Sequence, residues 1–286
     1  MTNRRAMGVR GFTLIELAVV VAIVGLLLGA ILVPLGTQIQ NQRNREAEQQ
    51  LERIRDAMMG FAMINGRLPC PDALPPDPPG GAASARGADL DGVEDLADGV
   101  ERCESPVGSN RFTGVVPWAT LGLPSLDPWG RLFRYVVSEE FTYRTSPGAP
   151  CAVGQIDQCD LANGSAVLEV SVNTRGSIDP IANPGRRKEL VQLSADGMVA
   201  FVWSTGPNGI DGIDLLGSPY PAPDPGTDEA ENADGDDTYV IRTPSSGTAG
   251  CDDNVEGQPF CEFDDLAIWI PAPILANALV TAGQLP

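Results

Sequence analysis

The 286 residues include no histidine. That absence removes the commonest metal ligand and the commonest general base, the side chain whose charge changes nearest neutral pH. A Ser-His-Asp triad and a His-based zinc site are therefore excluded, whereas carboxylate or thiol chemistry is not. Cations are scarce as well: 19 Lys and Arg stand against 38 Asp and Glu, for a formal charge of −19. Neutralising phosphates takes clustered Lys and Arg, so this balance argues against nucleic acid as a partner. Aromatics make up only 6%, while 32 Gly and 25 Pro point to long connections rather than a helical bundle. None of the six cysteines forms a C-x-x-C pair, which sets aside a zinc ribbon or a thioredoxin-like motif.

Those cysteines are Cys70, Cys103, Cys151, Cys159, Cys251 and Cys261. An even number in loop-rich sequence reads as up to three disulfides made in an oxidising compartment. Short loops close most readily, which favours Cys70–Cys103, Cys151–Cys159 and Cys251–Cys261. Other pairings, or free thiols in a cytosolic protein, stay open.

The one long apolar run lies near the start. Phe12 to Val33 is a span of 22 residues with a single charge, Glu16. At ~1.5 Å per residue it measures about 33 Å, enough for a hydrocarbon core of roughly 30 Å. Residues 1–11 carry Arg4, Arg5 and Arg10 and no acid, a flank that holds its end in the cytoplasm and places the rest outside. In an ordinary secretory signal the break in pattern follows a shorter apolar region. Here it precedes the run, at Gly11–Phe12. Gly25 and Gly29 make a G-x-x-x-G that permits close helix approach in lipid, and Pro34 is expected to kink or locally unwind the helix.

Beyond Pro34 helical sequence continues but turns polar. Its apolar residues are Ile39, Leu51, Ile54, Met58 and Phe61, and the last four, spaced by three and four, form one face. Arg43, Arg45, Glu48 and Glu52 are expected to point outward. Asn65-Gly66, backed by Pro69 and Pro71, is the expected stop.

Residues 69–110 are a Pro/Gly/Asp-rich connection too polar and broken to form core. An EF-hand started at Asp89 would need an oxygen ligand at its fifth position and Gly at its sixth. Val93 and Glu94 stand there, so a solvated acidic loop is expected instead. Strand-like runs follow at Leu132–Ser138, Ala166–Asn173, Glu189–Ser194, Met198–Ser204, Thr238–Thr243 and Leu266–Ile270. They suggest an antiparallel sheet, with a hairpin through Asp196-Gly197. Ala272–Ala282 is too short for a second span and is expected to pack as a terminal helix or tail.

Gly11-Phe12-Thr13-Leu14-Ile15-Glu16, behind its basic leader and ahead of the apolar span, resembles the class III signal of type IV pilins and type II secretion pseudopilins. The resemblance implies cleavage after Gly11 by a prepilin peptidase that also methylates the new N-terminal Phe12. It further implies that Glu16 pairs with the free N-terminal amine of a neighbouring subunit during assembly. Such pairing would compensate a carboxylate that costs ~2.5–3.5 kcal/mol at mid-membrane. Three later peptides are similar to pseudopilin segments: "DPWGRLFRY" (127–135), whose Trp anchors the sheet in that family, "STGPNGIDG" (204–212) and "DDLAIWIP" (264–271).

The implied fold is α+β and pilin-like: a long N-terminal helix, transmembrane in its first half, on an antiparallel β-sheet head with long loops. Its parts are a leader (1–11), a transmembrane and assembly half-helix (12–34), an amphipathic half-helix (35–66) and a periplasmic or extracellular head (67–286). The implied partners are other pilin or pseudopilin subunits, the prepilin peptidase and methylase, an inner-membrane assembly platform and the membrane itself. No catalytic residue is assigned. Pseudopilins often staple the loop before the last strand with calcium, and "ENADGDDTY" offers Asp234, Asp236 and Asp237 as candidate ligands. A Cys251–Cys261 disulfide could do that same job. The alternative is a single-pass anchored periplasmic binding protein or enzyme with a similar leader, never assembled into a filament.

Overall fold

The computed structural model describes residues 13–72, 90–96, 103, 111–142, 169–172, 188–189, 197–235, 238–255 and 258–284, with backbone alone for residues 27–35, 140, 169–172 and 188–189. Contacts divide the chain into two units, Met1–Arg43 and Asn44–Pro286.

Helix α1 runs from Leu14 to Asn65. Pro34 does not interrupt it, because one proline removes a single ladder hydrogen bond while the flanking bonds remain. The helix stops where Gly66 turns left-handed (φ 69°) and donates its N–H to the Ala62 carbonyl at 2.8 Å. In the second unit, Ala47, Leu51, Ile54, Met58 and Ala62 are at most 2% exposed, and Glu48 and Glu52 face water. The three- and four-residue spacing therefore buries the stripe of Leu51, Ile54 and Met58 as expected, whereas Phe61 is only half-buried and Ala62 takes the last buried place. Ile39, which lies in the first unit, stays 48% exposed.

The stripe belongs to one core with a four-stranded sheet. Its strands are β1 (Arg111–Val115), β2 (Arg134–Ser138), β5 (Met198–Ser204) and β7 (Leu266–Pro271), in the order β1-β2-β5-β7 and antiparallel throughout. Tyr135, Val137, Val199, Ala200 and Val202 join Leu51, Ile54 and Met58 on one face. The opposite face presents Val136, Met198, Phe201 and Trp203. A register shift between Met198 and Ala200 explains why Val199 and Ala200, though adjacent, share a face. Every residue of β5 is buried, so the strand reads as a continuous apolar run rather than an alternating one.

A second sheet, ordered β4-β3-β6, holds β3 (Glu169–Val172), β4 (Lys188–Glu189) and β6 (Thr238–Ile241). Tyr239 of β6 packs on Phe201 and Trp203, with ring centroids 4.7 and 5.7 Å apart. Two expectations differ here. Strands β3 and β6 pair in parallel. The hairpin through Asp196-Gly197 is not formed by β4 and β5, because β5 spends both edges on β2 and β7 while β4 pairs with β3. Asp196 itself lies outside the described residues.

Among the described residues, the second unit also holds three short helical pieces: α2 (Trp118–Leu121), a 3-10 turn (Glu139–Phe141) and α3 (Asp228–Ala233). The expected terminal helix is α4 (Ala272–Thr281), which buries Leu275 and Leu279 in the same core as α1. Strand β1 carries too weak a pattern to be read in advance. Its Gly114 lies where a Cβ would meet the Asp72 carbonyl at 2.3 Å, so bridging to that segment leaves no room for a side chain. Cys70 is disulfide-bonded to Cys103, and Cys251 to Cys261; Cys151 and Cys159 lie outside the described residues. The connection expected to be a solvated acidic loop contributes a buried pair. Glu94 receives Arg67 at 2.7 and 2.8 Å and the Cys70 N–H at 3.0 Å.

Candidate functional site

At the N-terminus Gly11 and Phe12 lie outside the described residues, whereas Glu16 is placed. Thr13 caps α1: its N–H and its hydroxyl each donate to Glu16 Oε2 at 2.9 Å, and the Glu16 N–H donates to Thr13 Oγ1 at 3.3 Å. This is a reciprocal capping box, and its T-x-x-E signature stands at residues 13–16. Within a single chain, then, Thr13 satisfies the carboxylate at the helix start. The neighbouring apolar side chains are bare, Leu14 at 86%, Ile15 at 72% and Leu26 at 75% exposure. Contiguous apolar surface of this kind marks contact with protein or lipid. Among the described residues no helix is long and apolar enough to cross a membrane. The expected span falls partly outside them, at Phe12 and at the side chains of 27–35.

The three head peptides, distant in sequence, converge. Asp127 opens the first turn, with Oδ1 accepting the Trp129 and Arg131 N–H groups at 2.9 Å each and Oδ2 accepting Ser204 Oγ at 2.7 Å. Trp129 is not the anchor of the sheet; it is half-buried in this turn, and Trp203 fills the apolar face instead. Arg131, 4% exposed, lies against the glycine-rich loop, where a Cβ on Gly209 would meet its guanidinium at 2.1 Å. Gly206 adopts φ 55° beside the third peptide, and a Cβ there would stand 2.2 Å from the Asp264 carbonyl and 2.3 Å from its Oδ1. The glycines of the turn thus permit the close approach of Arg131 and Asp264.

At this junction Glu229, Asp264 and Asp265 each bring a carboxylate oxygen to within 4.8 Å of the others. Helix α3 supplies Glu229, 5% exposed, and the segment entering β7 supplies the other two. Asn208 donates its amide to both Glu229 oxygens at 3.0 and 3.2 Å and its backbone N–H to Asp264 Oδ2 at 2.9 Å. Asn232, one turn beyond Glu229, donates to Asp265 Oδ2 at 2.8 Å and clasps both backbone groups of Val240. Asp264 Oδ1 is buried and, among the described residues, accepts no hydrogen bond.

Crowding these groups away from water disfavours their charge. Burial lifts Glu229 to about 7 against the opposing Asn208 hydrogen bond, and the Asp264 charge adds to the rise. Burial lifts Asp264 to about 6, with the Asn208 N–H and Arg131 opposing. Asp265 is pushed well above the carboxylate range by burial, then by the charges of Glu229, Asp264 and Asp211. Orphaned oxygen and mutual repulsion are what a hard divalent cation would relieve, and an all-oxygen donor set is the kind calcium takes. The three carboxylates form a cluster that could hold a metal ion of this kind.

The carboxylates gathered here are not those singled out from the sequence. Asp234 is exposed at the C-terminal end of α3, and Asp236 and Asp237 lie outside the described residues. Only the Asp264-Asp265 pair opening the last strand had a sequence signal; Glu229 had none, since its role depends on where α3 docks.

Compared with known proteins, residues 7–32 match the family model described as the prokaryotic N-terminal methylation motif, the class III signal of type IV pilins and pseudopilins. No curated protein and no solved structure matches the chain.

Proposed function

We propose that this chain is a prepilin-like subunit of a type IV pilus or type II secretion pseudopilus, with no catalytic role. In this reading it is stored as a single-pass inner-membrane protein with a cytoplasmic N-terminus and a periplasmic head. A prepilin peptidase cuts after Gly11 and methylates Phe12, and the assembly platform then polymerises the subunit through α1. The observation that carries it is the methylation motif at residues 7–32. Long head loops suggest a minor or specialised subunit, because a filament of repeated heads favours compact ones.

In the lone subunit Thr13 holds the Glu16 carboxylate. In a filament the methylated amine of a neighbouring Phe12 would compete for it, a charge-assisted bond stronger than a neutral one. The exposed apolar residues of α1 would pack first against lipid and then against other copies. In the head, Glu229, Asp264 and Asp265 would hold calcium, which supplies charge neutralisation and ties α3 to the entry of β7.

The test is mass spectrometry of the mature N-terminus, from membranes and from sheared extracellular filaments. N-methylated Phe12 in the sheared fraction is the expected result. An intact Met1 leader confined to membranes, with the peptidase present, would overturn the filament reading and leave an anchored periplasmic domain.

A further inference from the structure

Helix α3, which carries Glu229, has only six residues. A helix that short does not hold itself together in water, so its position is imposed from outside. Thr227 caps it, accepting the Ala230 N–H at 3.1 Å. Asp253, 6% exposed, accepts the Asp228 N–H through Oδ2 and the Cys261 N–H through Oδ1, both at 2.9 Å. Arg242 makes the same connection with donors: Nε to Asp228 Oδ2 at 2.6 Å and Nη2 to the Cys261 carbonyl at 3.0 Å. Asp253 and Arg242 thus each bridge Asp228 and the backbone of Cys261. Cys261 is one end of the disulfide to Cys251, and Glu229 is the residue after Asp228.

We infer that the Cys251–Cys261 disulfide is a positioning element for the calcium site, acting through Asp253 and Arg242 on Asp228 and so on the carboxylate of Glu229. This rests on the calcium reading above. The disulfide and the ion, which the family resemblance offers as alternative staples, act in series here, and the oxidised head binds calcium more tightly than the reduced one. Reduction by a dithiol delivers two electrons and two protons to the disulfide, giving two thiols and a cyclic oxidised reagent. It frees the segment between Cys251 and Cys261, loosens both bridges to Asp228 and lets Glu229 drift from Asp264 and Asp265. Outer partners that orient a ligand typically contribute ~10–100-fold to metal affinity.

Linkage makes the coupling reciprocal: if reduction weakens calcium binding by some factor, calcium must resist reduction by the same factor. The Cys70–Cys103 disulfide is an internal control, since the hydrogen bonds beside it run to Glu94 rather than to α3. The experiment uses the full-length protein in detergent, with calcium as the probe. Titration calorimetry compares the oxidised protein with Asp253→Asn and with the Cys251→Ser/Cys261→Ser pair. Differential alkylation and mass spectrometry follow each disulfide across a dithiothreitol series, with and without calcium.

The expected result is calcium binding weakened by about 10-fold or more in both variants. The dithiothreitol needed to reduce Cys251–Cys261 should rise by a matching factor with calcium, with no change at Cys70–Cys103 and none in Glu229→Gln. General loosening of the fold would move both disulfides together and would overturn the inference. So would calcium binding that agrees within about twofold between oxidised and variant proteins, although the calcium reading would then stand. Oxidised wild-type protein that binds no calcium sinks that reading and this inference together.

Discussion

Replacing Arg242 by methionine should be among the most damaging single changes in the head. Its side chain is 5% exposed, and those of its partners Asp228 and Asp253 are 0%. The guanidinium also lies over the rings of Phe260 and Phe263, 4.8 and 4.6 Å from their centroids. Arg242→Met keeps the bulk beside the rings but takes the guanidinium away from two buried carboxylates. Breaking a buried pair from one side costs about 3–5 kcal/mol, because the abandoned charge keeps its desolvation penalty. For a unit of this size each kcal/mol is worth roughly 2–4 °C, so the melting midpoint should fall by about 6–20 °C. Asp228→Asn should cost less, since Arg242 keeps Asp253. Adding Asp228→Asn and Asp253→Asn to Arg242→Met should recover much of the loss, because the two carboxylate charges that Arg242 faced are then removed with it. Thermal and urea denaturation of the full chain in excess chelator, which removes any contribution from calcium, measures all of these. An Arg242→Met loss under about 1 kcal/mol, or a triple variant worse than the single one, would show that water reaches this pocket and that the burial argument is wrong.

Two further outcomes are expected. In chelator, Glu229 at about 7 and Asp264 at about 6 sit above their ordinary values of 4.5 and 3.8. Raised carboxylates hold protons in the folded state that the unfolded chain has already released. The head should therefore gain stability as pH falls from about 8 towards 5 and lose it as pH rises through those folded values. Saturating calcium should flatten this dependence, and a midpoint in chelator that does not rise on acidification over that range refutes the crowding. At the other end of the chain, Glu16→Ala should still insert and be cleaved at Gly11 but should drop out of sheared filaments; normal filament yield would show that the carboxylate has no part in assembly.

Some of this protein was decided within short stretches of sequence. The start of α1 is local, because Thr13 and Glu16 lie one helical turn apart and cap each other whatever surrounds them. Its end is local too, since Gly66 alone among its neighbours takes the left-handed turn without strain. The stripe of Leu51, Ile54 and Met58 follows from helical periodicity, and the apolar run of β5 announces a strand buried on both faces. The methylation motif is local as well, since it is matched within residues 7–32 alone.

Tertiary structure decided the rest. Alternation says which residues share a face but not which strand lies alongside, so only the fold places β5 between β2 and β7 and runs β6 parallel to β3. A high density of aspartates in sequence says nothing about burial, and the exposed Asp234 and the buried Asp265 look alike until α3 docks against the last strand. Glu229 meets Asp264 and Asp265 across more than thirty intervening residues. That meeting depends on Asn208, Asn232, Asp253 and Arg242 each satisfying buried polar groups that no neighbour in sequence could reach.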